Sequence, residues 1–200
     1  LISRHLVDVL SPLYPGPYHL VPQALRADQF RPDSAKEAPG KPVTVGVVGP
    51  YEAVMKGIPV ALRAVERLRA AGRVVRLLRA SQLPLSAEED ALCHADLYFH
   101  GRSAAEMVGW YRELDLLVHP SFEAEGFPLP PLEAMASGVP VVLTRIPSFD
   151  PLPDDAVSRV APGDDAAMAE AAARLLDDPA FWRARRRRGL EVAASFSLDR

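Results

Sequence analysis

Cysteine is nearly absent from this chain of 200 residues, in which Cys93 stands alone. A single cysteine excludes an internal disulfide framework and a zinc site built from several cysteines, and it fits a reducing compartment. The chain also lacks any apolar run near the ~18 residues that a membrane-spanning helix requires. It does not open with the layout of a signal peptide. We therefore expect a cytoplasmic protein whose membrane contact, where it has any, is peripheral.

Neither sign of charge dominates, because 23 lysines and arginines face 26 aspartates and glutamates and leave a net charge of −3. Such a chain has no global basic field that would attract nucleic acid, so no nucleic-acid partner is expected. The densest basic run, residues 183–188, fits a solvated helix face. Contact of this run with anionic lipid or an acidic partner is the alternative. The five histidines have no metal-ligand spacing, so we predict no metal site and no bound cofactor.

Apolar, valine-rich segments alternate with amphipathic segments along most of the chain, which indicates strands alternating with helices. Strands are predicted at residues 42–49, 74–78, 97–99, 116–118, 139–143 and 157–160. Helices are predicted to begin near Gly57, Ser86, Ser103, Pro130, Asp164 and Pro179. Two of them open with the spacing of a capping box, at residues 86–89 and 103–106. The predicted fold class is therefore α/β, a Rossmann-like parallel sheet with helices on both faces, which binds ligands in the loops after its strands.

Residues 115–145 hold the most informative pattern: a buried strand, an acidic loop with a glycine, a proline-started helix and a second buried strand. Glu125 and Glu133 bracket the loop with seven residues between them. The free amides of a loop that enters a helix bind anions, and carboxylates accept hydrogen bonds from hydroxyls. A ligand that joins phosphates to hydroxyl-rich groups, such as a nucleotide sugar, suits this combination. The structural alternative is that Glu133 merely favours the helix dipole while Glu125 lies on the surface.

The run EGFPLPPLEAMASGVPVV at residues 125–142 resembles the donor-site signature of retaining GT-B glycosyltransferases of the group-1 (family-four-like) set. The usual form of that signature is close to EGFGLPPLEAMACGTPVV. Four further segments are similar to the family in the expected order: YHLVPQALRADQFRP, VGPYEAVMKGIPVALRA, YFHGRSAAEMVGWYRELDLLVHPS and VAPGDDAAMAEAAARLLDDP. The resemblance thus covers roughly residues 18–198, which makes it specific.

The resemblance implies a role for individual residues. Glu125 would lie by the donor sugar as the catalytic residue, and Glu133 would bind the ribose hydroxyls. Lys56, one of only three lysines in the chain, would bind the diphosphate as a point charge. The remaining donor-binding positions that the resemblance implies are Gly57, Gly101, Arg102, Gly126, Phe127, Pro128 and Leu129.

The chain departs from the family pattern at two positions on the phosphate side. Pro128 replaces a glycine of the signature and cannot donate an amide hydrogen bond. Pro50 stands where the family often has an arginine that pairs with the lysine. A substitute cation is therefore expected, and Arg145 and Arg79 are candidates because each follows or ends a predicted strand.

Residues 31–200 are accordingly expected to form the donor-binding domain of a retaining glycosyltransferase, and residues 1–30 a remnant of a preceding domain and hinge. The acceptor-binding N-terminal domain would be missing, so the chain by itself is expected to be inactive. Polysaccharide or glycoconjugate synthesis of a bacterial type is the expected setting. The alternative is an inactive nucleotide-binding module or degenerate GT-B partner subunit, for which Pro50 and Pro128 argue.

Overall fold

The structure is a computed structural model that describes residues 1–21, 23–26, 29–122, 125–127 and 129–197. The strands of the described residues are β1 (Val43–Val48), β2 (Val75–Ser81), β3 (Leu97–His100), β4 (Leu116–His119), β5 (Val141–Thr144) and β6 (Val157–Val160). The α-helices are α1 (Arg4–Leu10), α2 (Ile58–Ala70), α3 (Ala87–Leu92), α4 (Ala104–Glu113), α5 (Leu129–Ala136), α6 (Asp165–Asp177) and α7 (Pro179–Ser195).

The six strands form one parallel sheet in the order β3-β2-β1-β4-β5-β6. This confirms the predicted Rossmann-like fold class. The strand order reverses between β1 and β4, so the loops that leave these two strands diverge to opposite faces. Open α/β sheets bind their ligands in the crevice beyond the carboxyl ends of the strands at this switch point.

The core divides into two apolar clusters, one on each face of the sheet. Helices α2 and α6 pack together on one face, through residues such as Leu62, Val65 and Leu175. Helices α5 and α7 pack together on the other face, where Leu132 of α5 is buried. Trp110 of α4 is buried in the same cluster. Coverage of both faces explains why the strands are apolar on both sides.

The segment before β1 is more closely packed than its polar composition suggests. Leu25 and Phe30 are buried in the core, and Lys36 forms an ion pair with the buried Asp115 at 2.9 Å. Helix α1 lies near the loop before α5, since Leu6 approaches Gly126. These apolar residues, isolated in a proline-rich stretch, attach the segment to the domain.

Candidate functional site

The turn after β1 presents Lys56 to the loop after β4. Lys56 ends a short 3-10 helix, and Gly57 adopts the left-handed conformation with φ +61° before α2 begins. The amide of Phe122 donates a hydrogen bond of 2.8 Å to the carbonyl of Met55. A Cβ atom on Gly57 would lie 2.3 Å from the Pro120 carbonyl oxygen. The turn therefore lies against the loop after β4 more closely than any side chain at position 57 would allow.

This contact brings Lys56 and Glu125 together at the switch point. Lys56 Nζ lies 2.5 Å from Glu125 Oε1, and the Ser121 hydroxyl donates a 2.7 Å hydrogen bond to the same oxygen. Ser148 Oγ donates to the Glu125 carbonyl and fixes its backbone. Two residues that were predicted separately, one for the sugar and one for the diphosphate, are thus in contact, and Glu125 is only 8% exposed.

Glu125 is held in its ionised form. Burial raises the pKa of its carboxyl, but the hydrogen bonds from Lys56 and Ser121 and the Lys56 charge outweigh burial and leave the pKa below its usual value. An ionised carboxylate accepts hydrogen bonds from sugar hydroxyls and stabilises positive charge nearby.

His119, at the end of β4, contacts this group through Ser121. Its Nε2 lies 3.2 Å from Ser121 Oγ. Because the Ser121 hydroxyl donates to Glu125, it accepts from His119, which assigns the proton to Nε2. The His119 Nδ1 atom is buried and has no partner among the described residues. Burial lowers the pKa of His119 to about 4, the Glu125 charge opposes that shift, and Lys56 adds to it.

Protonation of His119 should weaken the fold in mild acid. The folded pKa of about 4 lies below the ordinary value of 6.5, so between these values the unfolded chain binds a proton that folded His119 does not. Stability from this group is therefore present above pH 6.5 and decreases as the pH falls toward 4. Urea titrations at several pH values should show a smaller decrease for His119→Gln than for the parent chain. Parallel pH profiles would contradict this assignment.

Glu133 lines a cavity next to the Lys56 and Glu125 pair. This cavity lies on the side of the switch point where β1, β2 and β3 end. The cavity has a volume of about 270 Å³ and is lined by Val48, Gly49, Pro50, Ala80, Ser81, Gln82, Phe99, Arg102, Ala104, Met107, Tyr111, Pro130 and Glu133. Tyr111 Oη donates a 2.8 Å hydrogen bond to Glu133 Oε2. Burial raises the pKa of Glu133, and the Tyr111 hydrogen bond partly opposes that rise. The second carboxylate therefore lies partly buried in the wall of this open cavity.

Removing the Tyr111 hydroxyl should raise the pKa of Glu133 with little effect on the packing of the ring. The ring of Tyr111 packs edge-on against Trp110 and Phe30, and Tyr111→Phe keeps that ring. We expect the pKa of Glu133 to rise further and the free energy of unfolding to fall by about 1 kcal/mol. An NMR titration of the Glu133 side-chain carboxyl measures the first effect. An unchanged Glu133 pKa would show that the hydrogen bond does not act on this carboxyl.

The loop between the two glutamates leads directly into α5. Helix α5 begins at Leu129, one residue before the predicted start. The Phe127 ring packs on Phe196, with ring centroids 5.6 Å apart. A Cβ atom on Gly126 would lie 3.1 Å from Ile2 Cδ1. Pro128, predicted to line the diphosphate, lies outside the described residues.

A family model described as glycosyl transferases group 1 matches residues 42–178, a span that holds all six strands and both glutamates. The chain belongs to the group 1 glycosyltransferases. Two curated members illustrate the similarity. The lipopolysaccharide core biosynthesis mannosyltransferase LpsB of Rhizobium meliloti is 48% identical over 73 residues, which make up 34% of this chain and 20% of that protein. The MMP alpha-(1->4)-mannosyltransferase of Mycolicibacterium hassiacum is 29% identical over 95% of this chain and 48% of its own length. The chain thus spans about half or less of these relatives.

Solved structures show the same fold. The sucrose-phosphate synthase of Thermosynechococcus elongatus superposes with a TM-score of 0.81 at 23% identity, over 98% of this chain and 53% of that one. The C-terminal domain of the group 1 protein LpcC from Francisella tularensis superposes with a TM-score of 0.70 at 21% identity, over 88% of this chain and all of that one. The HepE protein of Anabaena, solved with UDP-glucose, gives 0.73 at 13% identity, over 90% of this chain and 53% of that one. This group 1 chain therefore has the Rossmann-like architecture of one half of a GT-B protein.

Gly101 and Arg102, two of the predicted donor-binding residues, follow β3, and Arg102 lines the cavity of this group 1 domain. Gly101 has φ +61° and open space around its Cβ position. Arg102 lines the cavity, pairs with Glu106 at 2.8 Å and places its guanidinium 5.8 Å from the Phe99 ring centroid. Glu106 completes the predicted capping box with Ser103. Hydrogen bonds from the Ser103 amide, the Ser103 hydroxyl and Arg102 lower its pKa to about 2.

Arg79 is part of the buried scaffold and does not reach the site. Its guanidinium is 0% exposed and lies 2.6 Å from the carboxylate of Glu89. It also donates to the carbonyls of Val47, at 2.6 Å, and Gly49, at 2.9 Å. Its donors are thus occupied at the end of β1, and the structure gives it no free path to a phosphate.

Glu89 explains why the capping box predicted at residues 86–89 is incomplete. The Ser86 hydroxyl accepts from the Glu89 amide as expected. The Glu89 carboxylate, however, turns inward to Arg79. The prediction of a reciprocal box was wrong because the buried cation competes for that carboxylate.

Arg145 does follow β5, but its side chain turns toward the outer edge of the sheet. It lies 3.9 Å from Asp154 and lines a separate cavity with Arg159, Arg174 and Arg185. None of the residues lining that cavity belongs to the Lys56 and Glu125 group. The structure therefore brings neither tentative arginine to the candidate phosphate position.

Sequence patterns missed three residues that shape the site: Ser121, His119 and Tyr111. Ser121 and His119 sit at the end of β4 in the run HPS, and Tyr111 sits in α4, far from the signature. Their alternation and helical spacing are those of ordinary core positions. Only the three-dimensional contacts reveal their roles.

Two negative findings apply to the part of the chain that the structure describes. No helix there is both long and apolar enough to cross a bilayer. No group of three or more His, Cys, Asp and Glu side chains there is placed to hold a metal ion.

Proposed function

We propose that this chain is the donor-binding domain of a retaining glycosyltransferase, which transfers a sugar from a nucleotide-diphosphate sugar to a hydroxyl acceptor. One observation carries the proposal. A cation and an ionised carboxylate, Lys56 and Glu125, meet at the switch point, and Glu133 faces the adjoining cavity. The start of α5 lies between the two glutamates. The cation and the helix start match the phosphates of such a ligand. The two carboxylates match its hydroxyl-bearing parts, the ribose and the sugar.

Lys56 and the start of α5 would hold the diphosphate. The lysine Nζ is within hydrogen-bond distance of Glu125, and the Lys56 side chain is 28% exposed, so it remains reachable from solvent. The first amides of α5 would add hydrogen-bond donors, because helix N-termini stabilise anions. Negative charge develops on the nucleoside diphosphate as it departs, and nearby positive charge stabilises it.

Glu133 would bind the ribose hydroxyls. Tyr111 orients its carboxylate at 2.8 Å and leaves the other oxygen available as an acceptor. The cavity wall includes Phe99, Ala80 and Val48, an apolar surface that suits a nucleobase. Gly101 and Arg102 would contribute backbone and polar contacts at its edge.

Glu125 would act at the sugar. Its ionised carboxylate accepts from donor-sugar hydroxyls and stabilises the positive charge that develops at the anomeric carbon. An acceptor hydroxyl that attacks from the leaving-group face gives retention of configuration. Several relatives are named as mannosyltransferases, and HepE was solved with UDP-glucose, which supports a hexose donor.

A panel of UDP-, GDP-, ADP- and dTDP-sugars tests the proposal by thermal shift. We expect one of these donors to raise the Tm selectively, because a ligand that binds only the folded state stabilises it. Glu133→Ala should remove the shift, whereas Glu170→Ala, on the exposed face of α6, should keep it. Shifts from no donor would favour the alternative of a degenerate GT-B module, for which Pro50 in the cavity wall argues.

We further propose that residues 1–200 alone bind a donor without transferring its sugar. The acceptor of a GT-B enzyme lies across a cleft on a second Rossmann-like domain, and the chain covers 53% of the sucrose-phosphate synthase to which it is similar. Transfer to any acceptor by the purified 200-residue chain would refute this part of the proposal and leave donor binding intact.

A further inference from the structure

An arginine-lined cavity of about 280 Å³ lies at the outer edge of the sheet, beside β6. Its wall is formed by residues from the β5 exit, β6, α6 and α7. The members used below are Arg145, Asp154, Arg159, Arg174, Phe181 and Arg185. We call this space the arginine cavity. Strand β6 is the edge strand opposite β3, whereas the ends of β1, β2 and β3 line the cavity that holds Glu133, here named the nucleotide cavity.

Positive charge in the arginine cavity exceeds negative charge. Four of its lining side chains are guanidinium groups and one, Asp154, is a carboxylate. Asp154 accepts a 2.6 Å hydrogen bond from Arg159 Nε and lies 3.9 Å from Arg145. One carboxylate cannot balance four arginines, so the lining retains net positive charge.

Two of the guanidinium groups are held in place by an aromatic ring. Arg174 and Arg185 lie 4.5 Å and 4.8 Å from the Phe181 ring centroid. Arg185 also donates to the Asp154 carbonyl. These cation–π contacts hold the two guanidinium groups on one ring, and the charge of Arg174 acts unfavourably on Arg185 while Asp155 and Asp154 act favourably.

Buried donors in the lining have no acceptor. The Arg159 side chain is only 5% exposed, and it donates from Nη2 to the Phe149 carbonyl at 2.8 Å. Its Nη1 atom is buried without a partner, and so is Nε of Arg185, among the described residues. Buried polar atoms are nearly always hydrogen-bonded, and these two donors belong to side chains of the cavity lining that have unused hydrogen-bonding capacity.

We infer that the arginine cavity binds a phosphate-type oxyanion, at a site separate from the nucleotide cavity. Guanidinium forks match phosphate oxygens in pairs, and several arginines together balance a dianion. A free phosphate compound and a phospholipid headgroup share this chemistry. The inference does not depend on the proposed donor site, because the two cavities share no lining residue.

An NMR titration of the 200-residue chain with inorganic phosphate at low salt tests the inference. We expect saturable shifts of the backbone amides of Ser158, Ala171 and Phe181, which line the arginine cavity. Arg174→Gln, in an exposed position on α6, and Arg185→Gln should each weaken phosphate binding about tenfold. Arg187→Gln is the matched control, because Arg187 is exposed on α7 and does not line this cavity.

A second arm distinguishes the two sources of phosphate. Vesicles of phosphatidylcholine, with and without phosphatidic acid, are sedimented with the same four proteins. Capture by phosphatidic acid that is reduced in both cavity variants supports a headgroup, and phosphate shifts without capture support a free compound. Absence of phosphate shifts at the three amides overturns the inference. So does equal binding by the Arg174, Arg185 and Arg187 variants.

Discussion

Lys56→Ala is expected to weaken nucleotide-sugar binding by about 10- to 100-fold, the equivalent of one hydrogen bond to a charged group. The variant removes the cation that forms an ion pair with Glu125. It also leaves that buried carboxylate beside the incoming diphosphate, so repulsion replaces attraction. The effect is large because neither Arg79 nor Arg145 is positioned to compensate. Isothermal titration calorimetry with the donor selected by thermal shift measures it.

Arg63→Ala is the charge-matched control for Lys56→Ala. Arg63 is exposed on α2 and lines neither cavity, so the donor affinity should stay within about twofold of the parent. An equal loss in both variants would mean that net charge alone drives binding. An unchanged affinity in Lys56→Ala would remove the lysine from the phosphate site.

Gly57→Ala is expected to lower the free energy of unfolding by about 2 to 5 kcal/mol, the sum of a left-handed alanine and an overpacked contact. The added Cβ would lie 2.3 Å from the Pro120 carbonyl oxygen and 3.3 Å from the Phe122 ring. The backbone must then move apart, and the turn would carry Lys56 away from Glu125. Urea unfolding measures the stability loss, and donor binding by the folded fraction should fall as well.

Gly101→Ala separates the two causes in Gly57→Ala. Gly101 has the same φ of +61° but nothing within 4 Å of its Cβ position. It should therefore cost only about 1–2 kcal/mol, the left-handed part of the penalty. Equal losses of stability in the two variants would show that the close approach to Pro120 contributes nothing.

The fold could be predicted from sequence because its strands are short apolar runs separated by clear helix starts. Strand β6 occupies the residues predicted for it, and α6 and α7 begin where Asp164 and Pro179 indicate. Strand β2 was predicted too short, ending at residue 78 instead of Ser81. Arg79 interrupts its apolar pattern, and no local signal shows that Glu89 neutralises this arginine in the interior.

The candidate site could be predicted in part. The loop position and the helix start indicated Glu125 and Glu133 as candidates, the family resemblance indicated Lys56, and the structure brings Glu125 and Lys56 into contact. The partners Tyr111 and Ser121 could not be predicted, because a core tyrosine and a strand-end serine carry no distinctive spacing. Arg145 was placed correctly after β5, yet the direction of its long side chain depends on Asp154, which precedes the next strand.

A crystal structure of the chain with its stabilising nucleotide sugar tests the central claim most directly. We expect ribose hydroxyls on Glu133, the diphosphate on Lys56 and the amides that enter α5, and the sugar beside Glu125. A nucleotide bound with its ribose away from Glu133, or with its diphosphate out of reach of Lys56, would contradict the account.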